Sequence, residues 1–167
     1  MNVWLLNSAY YLEKLLDASM DLILIVFRRS MTILIAGATG NIGGEVVNHL
    51  LEKKLPLRAF VRDRNKASKL EAQGIELAQG DFSQPETLEA ALQGIEKAFL
   101  VMPNDPAQVE LESNFIDTAQ KAGVRHIVKL SVMGAGELPS TFQKWHRQIE
   151  THLEASGIAW THLRPNM

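Results

Sequence analysis

Cysteine is absent from the 167 residues of the chain. Its absence excludes a disulfide framework, a thiolate metal site and a cysteine nucleophile. It is also typical of a reducing compartment, so we expect a cytoplasmic protein. The chain lacks a run of Lys or Arg, and its formal net charge is −2, which argues against a nucleic-acid-binding role. What remains is the composition of an ordinary globular domain, with 46% hydrophobic and 22% charged residues.

Long apolar runs are missing as well. The run Leu22 to Phe27 is far shorter than the roughly 20 residues that a membrane-spanning helix needs. It is not typical of a signal peptide either, because its basic residues, Arg28 and Arg29, follow it. We therefore interpret residues 1–30 as an N-terminal extension of doubtful status, in which residues 3–16 are compatible with a short amphipathic helix. Three interpretations of this extension are open: it is solvated, it contacts a membrane or a partner, or natural translation starts at Met31.

From Met31 onward, apolar runs typical of buried parallel strands alternate with segments of helical spacing. This alternation predicts an α/β fold of the Rossmann type, a doubly wound parallel sheet in three α/β/α layers with strand order 3-2-1-4-5-6. The predicted domain covers residues 31–167. The predicted strands cover residues 32–36, 57–61, 75–79, 97–102, 126–130 and 158–163. A first helix is predicted directly after the glycine-rich turn at 37–44. Further helices are predicted over residues 64–73, 85–93, 106–122 and 140–155.

The glycine-rich turn is the strongest chemical signal in the sequence. Gly37, Gly40 and Gly43 follow the first predicted strand and open a helix. The first glycine permits the tight turn, the second lets the backbone approach a pyrophosphate, and the third brings the helix close to the strand. The helix N-terminus then offers free amides to the phosphates. We predict dinucleotide binding there; an α/β turn that has lost its ligand is the alternative. The predicted binding residues of this turn are Gly37, Thr39, Gly40, Asn41, Ile42 and Gly43.

The string A-G-A-T-G-N-I-G at residues 36–43 resembles the atypical branch of the short-chain dehydrogenase/reductase superfamily. That branch includes NmrA-like proteins, NAD(P)H quinone and azo reductases, and isoflavone-reductase-like enzymes. The resemblance extends over residues 31–167. It implies that the chain stops before the segments that build the substrate pocket in this family. The other matching motifs are Val61-Arg62-Asp63, Gly80-Asp81-Phe82, Lys129-Leu130-Ser131 and residues 156–165.

The residues after the second strand predict which dinucleotide is bound. Arg62 stands where an acidic residue would bind the ribose hydroxyl of NAD, and an arginine accommodates the 2′-phosphate of NADP. Arg64 and Lys66 follow closely and add positive charge. We therefore expect NADP(H) to be favoured over NAD(H). Asp63 is a possible competitor for the ribose.

Further cofactor contacts are predicted at the ends of other strands. The resemblance implies that Asp81 receives the adenine amino group and that the amide of Phe82 faces the ring. Turn or helix-capping chemistry ahead of Pro85 is the alternative role for Asp81. By topology, Met102 and Ser131 are expected to line the groove for the nicotinamide ribose.

The domain lacks the residue on which its superfamily usually relies for proton transfer. The resemblance implies a Tyr-x-x-x-Lys pair on the helix after the fourth strand, but the chain has this pattern only at Tyr10 and Lys14, before the first strand. We interpret that pair as coincidental. His146 occupies the place where the quinone-reductase-like members carry a histidine, which would donate a proton or orient the acceptor. A structural role for His146 is the alternative, and no histidine is assigned to a metal site.

Two functions are compatible with these features. The first is NAD(P)H-dependent reduction of a quinone-like or azo acceptor, which needs little acid–base assistance because the cofactor carries the hydride. The second is a non-catalytic, NmrA-like regulator that senses the nucleotide. The expected partners are therefore a dinucleotide and, for the reductase, a small-molecule acceptor, without nucleic acid or a membrane span.

Overall fold

A computed structural model describes residues 32–137 and 140–165. The extension over residues 1–30, with the Tyr10 and Lys14 pair, lies outside the described residues. Within them, six strands form one sheet in the order β3-β2-β1-β4-β5-β6, and every neighbouring pair is parallel. The predicted strand order is confirmed. The strands are β1 Ile33–Ala36, β2 Leu57–Val61, β3 Glu76–Gln79, β4 Lys97–Leu100, β5 His126–Leu130 and β6 Ala159–Leu163.

Helices connect the strands and cover both faces of the sheet. None of the helices in the described part of the chain combines the length and the apolar character needed to cross a bilayer. The α-helices are α1 Asn41–Glu52, α2 Ser68–Ala72, α3 Pro85–Leu92, α4 Gln108–Lys121 and α5 Thr141–Ala155, and a 3-10 turn at Asn65–Ala67 precedes α2.

The core has two halves, one on each face of the sheet. Side chains alternate along a strand, so neighbouring residues of β1 enter different halves. Leu34 packs in the half that includes Phe115 of α4 and Ile149 of α5, whereas Ile35 packs in the half that includes Val47 of α1. Burial on both faces explains the continuously apolar sequence I-L-I-A of β1. This is the predicted three-layer arrangement.

Several predicted boundaries shift by one or two residues in the structure, and two of the differences have a local explanation. β4 ends at Leu100 instead of continuing to Met102, because the chain leaves the sheet there and Pro103 has no amide for a ladder bond. The predicted helix over residues 64–73 divides into the 3-10 turn and α2. The backbone of Ala67 departs from helical geometry at the division (φ −101°, ψ 7°), and its side chain is fully buried.

The carboxyl ends of the strands meet at one edge of the sheet. The chain order reverses between β1 and β4, since β2 lies on one side of β1 and β4 on the other. In open α/β sheets, a crevice forms outside the strand ends at such a reversal, and ligands bind in it. The fold therefore places the glycine turn, which follows β1, at the expected binding edge.

Candidate functional site

A cleft of about 600 Å³ lies at this edge of the sheet. Its volume is within the range of small-molecule and cofactor sites. It brings together all the predicted site residues except Lys66, which lies in the 3-10 turn and is not part of the lining. The predicted residues that line it are Gly37, Thr39, Gly40, Asn41, Ile42, Gly43, Arg62, Asp81, Phe82, Met102, Ser131 and His146.

The glycine turn is packed so closely that side chains are excluded at two positions. Gly37 has a φ of +78°, and a Cβ there would lie 2.5 Å from the carbonyl oxygen of Val101. A Cβ on Gly43 would lie 2.1 Å from the carbonyl oxygen of Gly37. Both distances are too short for non-bonded atoms, so these glycines allow the turn and bring α1 against it. This is the geometry that the glycine spacing predicts.

The N-terminus of α1 is suited to an anionic ligand. Gly40, the N-cap residue, provides no side-chain cap, and the first turn of the helix contains no acidic residue. The first amides of a helix lack intrahelical partners, and the helix dipole adds partial positive charge. Asn41, Ile42 and Gly43 line the cleft at this point. The arrangement therefore fits a dinucleotide pyrophosphate, which would accept hydrogen bonds from these amides.

The end of β2 contributes a single cation to the described lining of the cleft. Arg62 is exposed and lines the cleft. Arg64 is paired with Glu71 instead. The Asp63 carboxylate accepts a hydrogen bond from the Asn65 amide at 2.9 Å, which closes a local turn. The positive charge available to a ligand is thus that of Arg62.

Asp81 combines the two roles that the sequence offers as alternatives, a position at the cofactor cleft and hydrogen bonding within a turn. It lines the cleft, and its Oδ1 accepts hydrogen bonds from the Ser83 amide at 2.9 Å and from the Ser83 hydroxyl at 2.7 Å. These hydrogen bonds, with a smaller contribution from Arg62, lower the pKa of Asp81. The neighbouring Phe82 ring is held edge-on against Phe60, with ring centroids 5.4 Å apart. Asp81 therefore organises the turn and also keeps a carboxylate at the cleft.

Met102 and Ser131 lie in the lining as topology predicts, but the hydroxyl of Ser131 already has a partner. Ser131 is buried, and its Oγ donates a hydrogen bond to Glu150 at 2.7 Å. This contact connects the end of β5 to α5. Ser131 therefore forms part of the cleft wall, and its hydroxyl proton is already donated to Glu150.

His146 projects from α5 to the cleft and is only 5% exposed. Burial and, to a smaller extent, the charge of Lys129 lower its pKa to about 4, although Glu150 opposes the change. Its ring packs edge-on against Phe142, with centroids 4.6 Å apart. An imidazole with this pKa is neutral at pH 7, so it offers a hydrogen bond to an acceptor instead of an acidic proton.

A buried polar cluster behind His146 was missed by the sequence analysis. Lys129 of β5 is fully buried, and its Nζ lies 2.8 Å from Oε2 of Glu112 and 3.3 Å from Nδ1 of His146. Gln108 donates to Oε1 of Glu112 at 2.7 Å. The sequence does contain an indication of this cluster, because a lysine within the largely apolar strand H-I-V-K-L needs a buried partner.

A second cluster joins α5 to β6. Glu150 is fully buried, and its carboxylate accepts hydrogen bonds from Arg164, Ser131 and Arg147; although burial opposes them, they lower its pKa to about 2. Glu150, Glu154 and His162 present three potential ligand atoms within 4.8 Å of one another. Arg147 donates to both carboxylates. Because guanidinium groups already neutralise these carboxylates, we assign the cluster a structural role.

Comparison with known proteins agrees with this geometry. The model of a family described as NAD(P)H-binding matches residues 37–167. The chain belongs to this NAD(P)H-binding family. Curated relatives of the chain include an NAD(P)H azoreductase of Xenophilus azovorans, 43% identical over 134 residues, and quinone oxidoreductase 2 of Escherichia coli, 38% identical over 136 residues.

Solved structures show the same relationship. The triphenylmethane reductase of Citrobacter sp. in complex with NADP(H) superposes with a TM-score of 0.77 at 31% identity, over 82% of this chain and 50% of that one. The azoreductase match covers 80% of this chain and 47% of the relative, and the quinone oxidoreductase match covers 79% and 47%. The chain thus spans about half the length of the relatives it matches.

Proposed function

We propose that this chain provides the NADPH-binding domain of a reductase that acts on quinone-like or azo acceptors. The observation that carries the proposal is the uncapped N-terminus of α1 above the close-packed glycine turn, beside His146 in one cleft. The azoreductase and quinone oxidoreductase relatives support the choice of acceptor class. A cytoplasmic location stays a prediction from the absence of cysteine.

The preference for NADPH over NADH rests on the end of β2. Arg62 lines the cleft, and a guanidinium binds a phosphate through two parallel hydrogen bonds. Asp63, the possible competitor for the ribose, is engaged with the Asn65 amide. The NADP(H) complex of the Citrobacter reductase also supports this preference.

The residues of the chain have distinct roles in the proposed reaction. The amides at the start of α1 would hold the pyrophosphate, and Arg62 would hold the 2′-phosphate. When bound, NADPH would supply a hydride, and one proton from water would complete the two-electron reduction of a quinone to a hydroquinone or of an azo bond to a hydrazo compound. His146, neutral at pH 7, donates a hydrogen bond to the acceptor atom on which negative charge develops.

Two neighbouring glycines allow a matched test. In Gly43→Ala the added Cβ meets the Gly37 carbonyl at 2.1 Å, whereas in Gly44→Ala it meets only the Ala38 oxygen, at an ordinary 3.7 Å. We expect Gly43→Ala to weaken NADPH binding at least about 10-fold, a loss of about 1.4 kcal/mol, and Gly44→Ala to bind like the wild type. Isothermal titration with NADPH measures both.

Turnover is measured separately, as NADPH consumption with menadione and with methyl red. Consumption that depends on the acceptor supports the reductase. NADPH binding without consumption across both acceptors would favour the regulator and contradict the reductase. Equal NADPH affinity of the Gly43→Ala and Gly44→Ala variants would show that the glycine turn does not hold the pyrophosphate.

A further inference from the structure

Lys129 is an unusual residue for the centre of a parallel sheet. It lies on β5, between β4 and β6, and its side chain is completely buried. A buried ammonium is costly unless charge and hydrogen bonds compensate for its lost hydration. The role proposed above for the cleft makes no use of this residue.

The contacts of Lys129 Nζ account for its burial. Nζ donates a hydrogen bond to the Leu130 carbonyl at 2.9 Å and contacts Nδ1 of His146 at 3.3 Å. It also forms an ion pair with the buried carboxylate of Glu112 at 2.8 Å. Gln108 in turn binds the other oxygen of that carboxylate, which fixes its position. The ammonium is therefore held in place by three elements, β5, α4 and α5.

The contact with His146 defines the roles of the two ring nitrogens. An ammonium has three N–H donors and no acceptor, so Nδ1 must accept in this contact. A neutral imidazole that accepts at Nδ1 carries its proton on Nε2. Among the residues that the structure describes, none forms a hydrogen bond with Nε2 of His146. Because His146 lines the cleft, Nε2–H is the ring group left for a ligand.

We propose that Lys129 is a positioning residue that holds His146 in the Nε2–H tautomer, so that the ring presents a hydrogen-bond donor to an acceptor atom in the cleft. The ligand chemistry implied is a carbonyl oxygen or an azo nitrogen, both of which accept hydrogen bonds. Without the ammonium, Nδ1–H would be an available tautomer, and Nε2 would then repel the lone pair of such an acceptor. A catalytic role for this Nε2–H donor rests on the proposed reductase function. The assignment of the tautomer rests only on the contacts of His146 and Lys129.

The charged surroundings of the ring are defined. Lys129 on β5 faces Nδ1, Glu112 on α4 neutralises Lys129, and Glu150 lies on the same helix as His146. His162 on β6 also interacts electrostatically with Lys129. Removing the lysine alone would leave the Glu112 carboxylate buried and unpaired. The informative variant is therefore Lys129→Met with Glu112→Gln, which retains the volume of both side chains and the acceptor for Gln108.

The test is the tautomer of His146, read from long-range proton–nitrogen NMR spectra of the full chain at pH 7 without NADPH or acceptor. His146→Gln identifies the signals of this histidine by their loss. We expect the wild type to show Nε2–H. In the double variant we expect the Nδ1–H form to become populated and the pKa of His146 to rise above about 4, because the neighbouring positive charge is gone. Lys97→Met, an exposed lysine on β4, is the matched control and should change neither value.

Two results would overturn the proposal. One is a wild-type spectrum with the proton on Nδ1, which needs no variant to fold. The other is an unchanged Nε2–H tautomer in a double variant with native amide dispersion. If the wild type consumes NADPH, the double variant should lower kcat for menadione with an unchanged Kd for NADPH. If the wild type does not turn over, the reductase proposal fails while the tautomer measurement still decides the role of Lys129.

Discussion

Arg62 is the residue on which the proposed preference for NADPH rests. Its guanidinium lines the cleft, whereas the neighbouring cation Arg64 is paired with Glu71. Lys66 is exposed and lies in the 3-10 turn, outside the lining. One arginine at the right position therefore replaces the basic cluster that the sequence predicts.

Substitution of Arg62 by alanine is expected to weaken NADPH binding about 10- to 100-fold and to leave NADH binding nearly unchanged. The reason is that hydrogen bonds to charged groups contribute about 1.5–3 kcal/mol and NADH has no 2′-phosphate to accept them. Titration of both cofactors measures the ratio. Lys66→Ala is the matched control and should retain the wild-type preference. A parallel loss of NADH and NADPH affinity would contradict the assignment of Arg62.

At the scale of single elements, α5 is the helix that connects the cleft to the edge of the sheet. Its N-cap residue is Ser140, whose Oγ accepts a hydrogen bond from the Gln143 amide. His146 on this helix reaches the cleft, and Glu150, one turn later, binds Ser131 of the cleft wall and Arg164 beyond β6. The position of His146 thus depends on contacts that lie outside the cleft.

Glu150→Gln is expected to lower the free energy of unfolding by about 2 kcal/mol. The carboxylate is fully buried, and its neutralisation leaves Arg164 without its counter-charge and Arg147 with Glu154 as its remaining anionic partner. Urea unfolding at pH 7 measures the change. Glu154→Gln removes a more exposed partner of Arg147 and should cost less than about 1 kcal/mol. Equal losses for the two variants would show that burial of Glu150 has no energetic importance.

At the scale of the whole molecule, burial of titratable groups couples stability to pH. Burial and the charge of Lys129 lower the pKa of His146 from 6.5 to about 4, and burial also lowers the pKa of His162. The unfolded chain therefore binds protons at these histidines at a higher pH than the folded chain does. The folded state loses stability as the pH falls from about 6.5 to 4. Glu150, with its pKa lowered to about 2, extends the loss below pH 4.5.

We expect the free energy of unfolding to decrease between pH 6.5 and 4, with at most about 1.4 kcal/mol per pH unit from His146. His146→Gln should flatten this dependence in part, because His162 retains its own contribution. The exposed His49→Gln variant is the control and should keep the wild-type slope. Urea unfolding at a series of pH values measures all three chains. A wild-type stability that is constant over this range would contradict burial of the neutral imidazole.

The sequence by itself determined the fold and the position of the glycine turn. The apolar run of β1 and the glycines spaced by three are local patterns: the first predicts a strand buried on both faces, and the second predicts a turn with room only for glycine. Gly37 and Gly43 accordingly lie where the spacing predicts. The resemblance carried by residues 36–43 likewise agrees with the family match.

Only the tertiary structure decided which side chains are free for chemistry. Lys66 is outside the cleft, the hydroxyl of Ser131 is engaged, and Asp81 also organises its own turn. Lys129 and His146 are 17 residues apart in sequence, and their contact exists because α5 packs back across β5. Burial and long-range pairing set protonation and tautomer, and both depend on neighbours that a local sequence pattern does not specify.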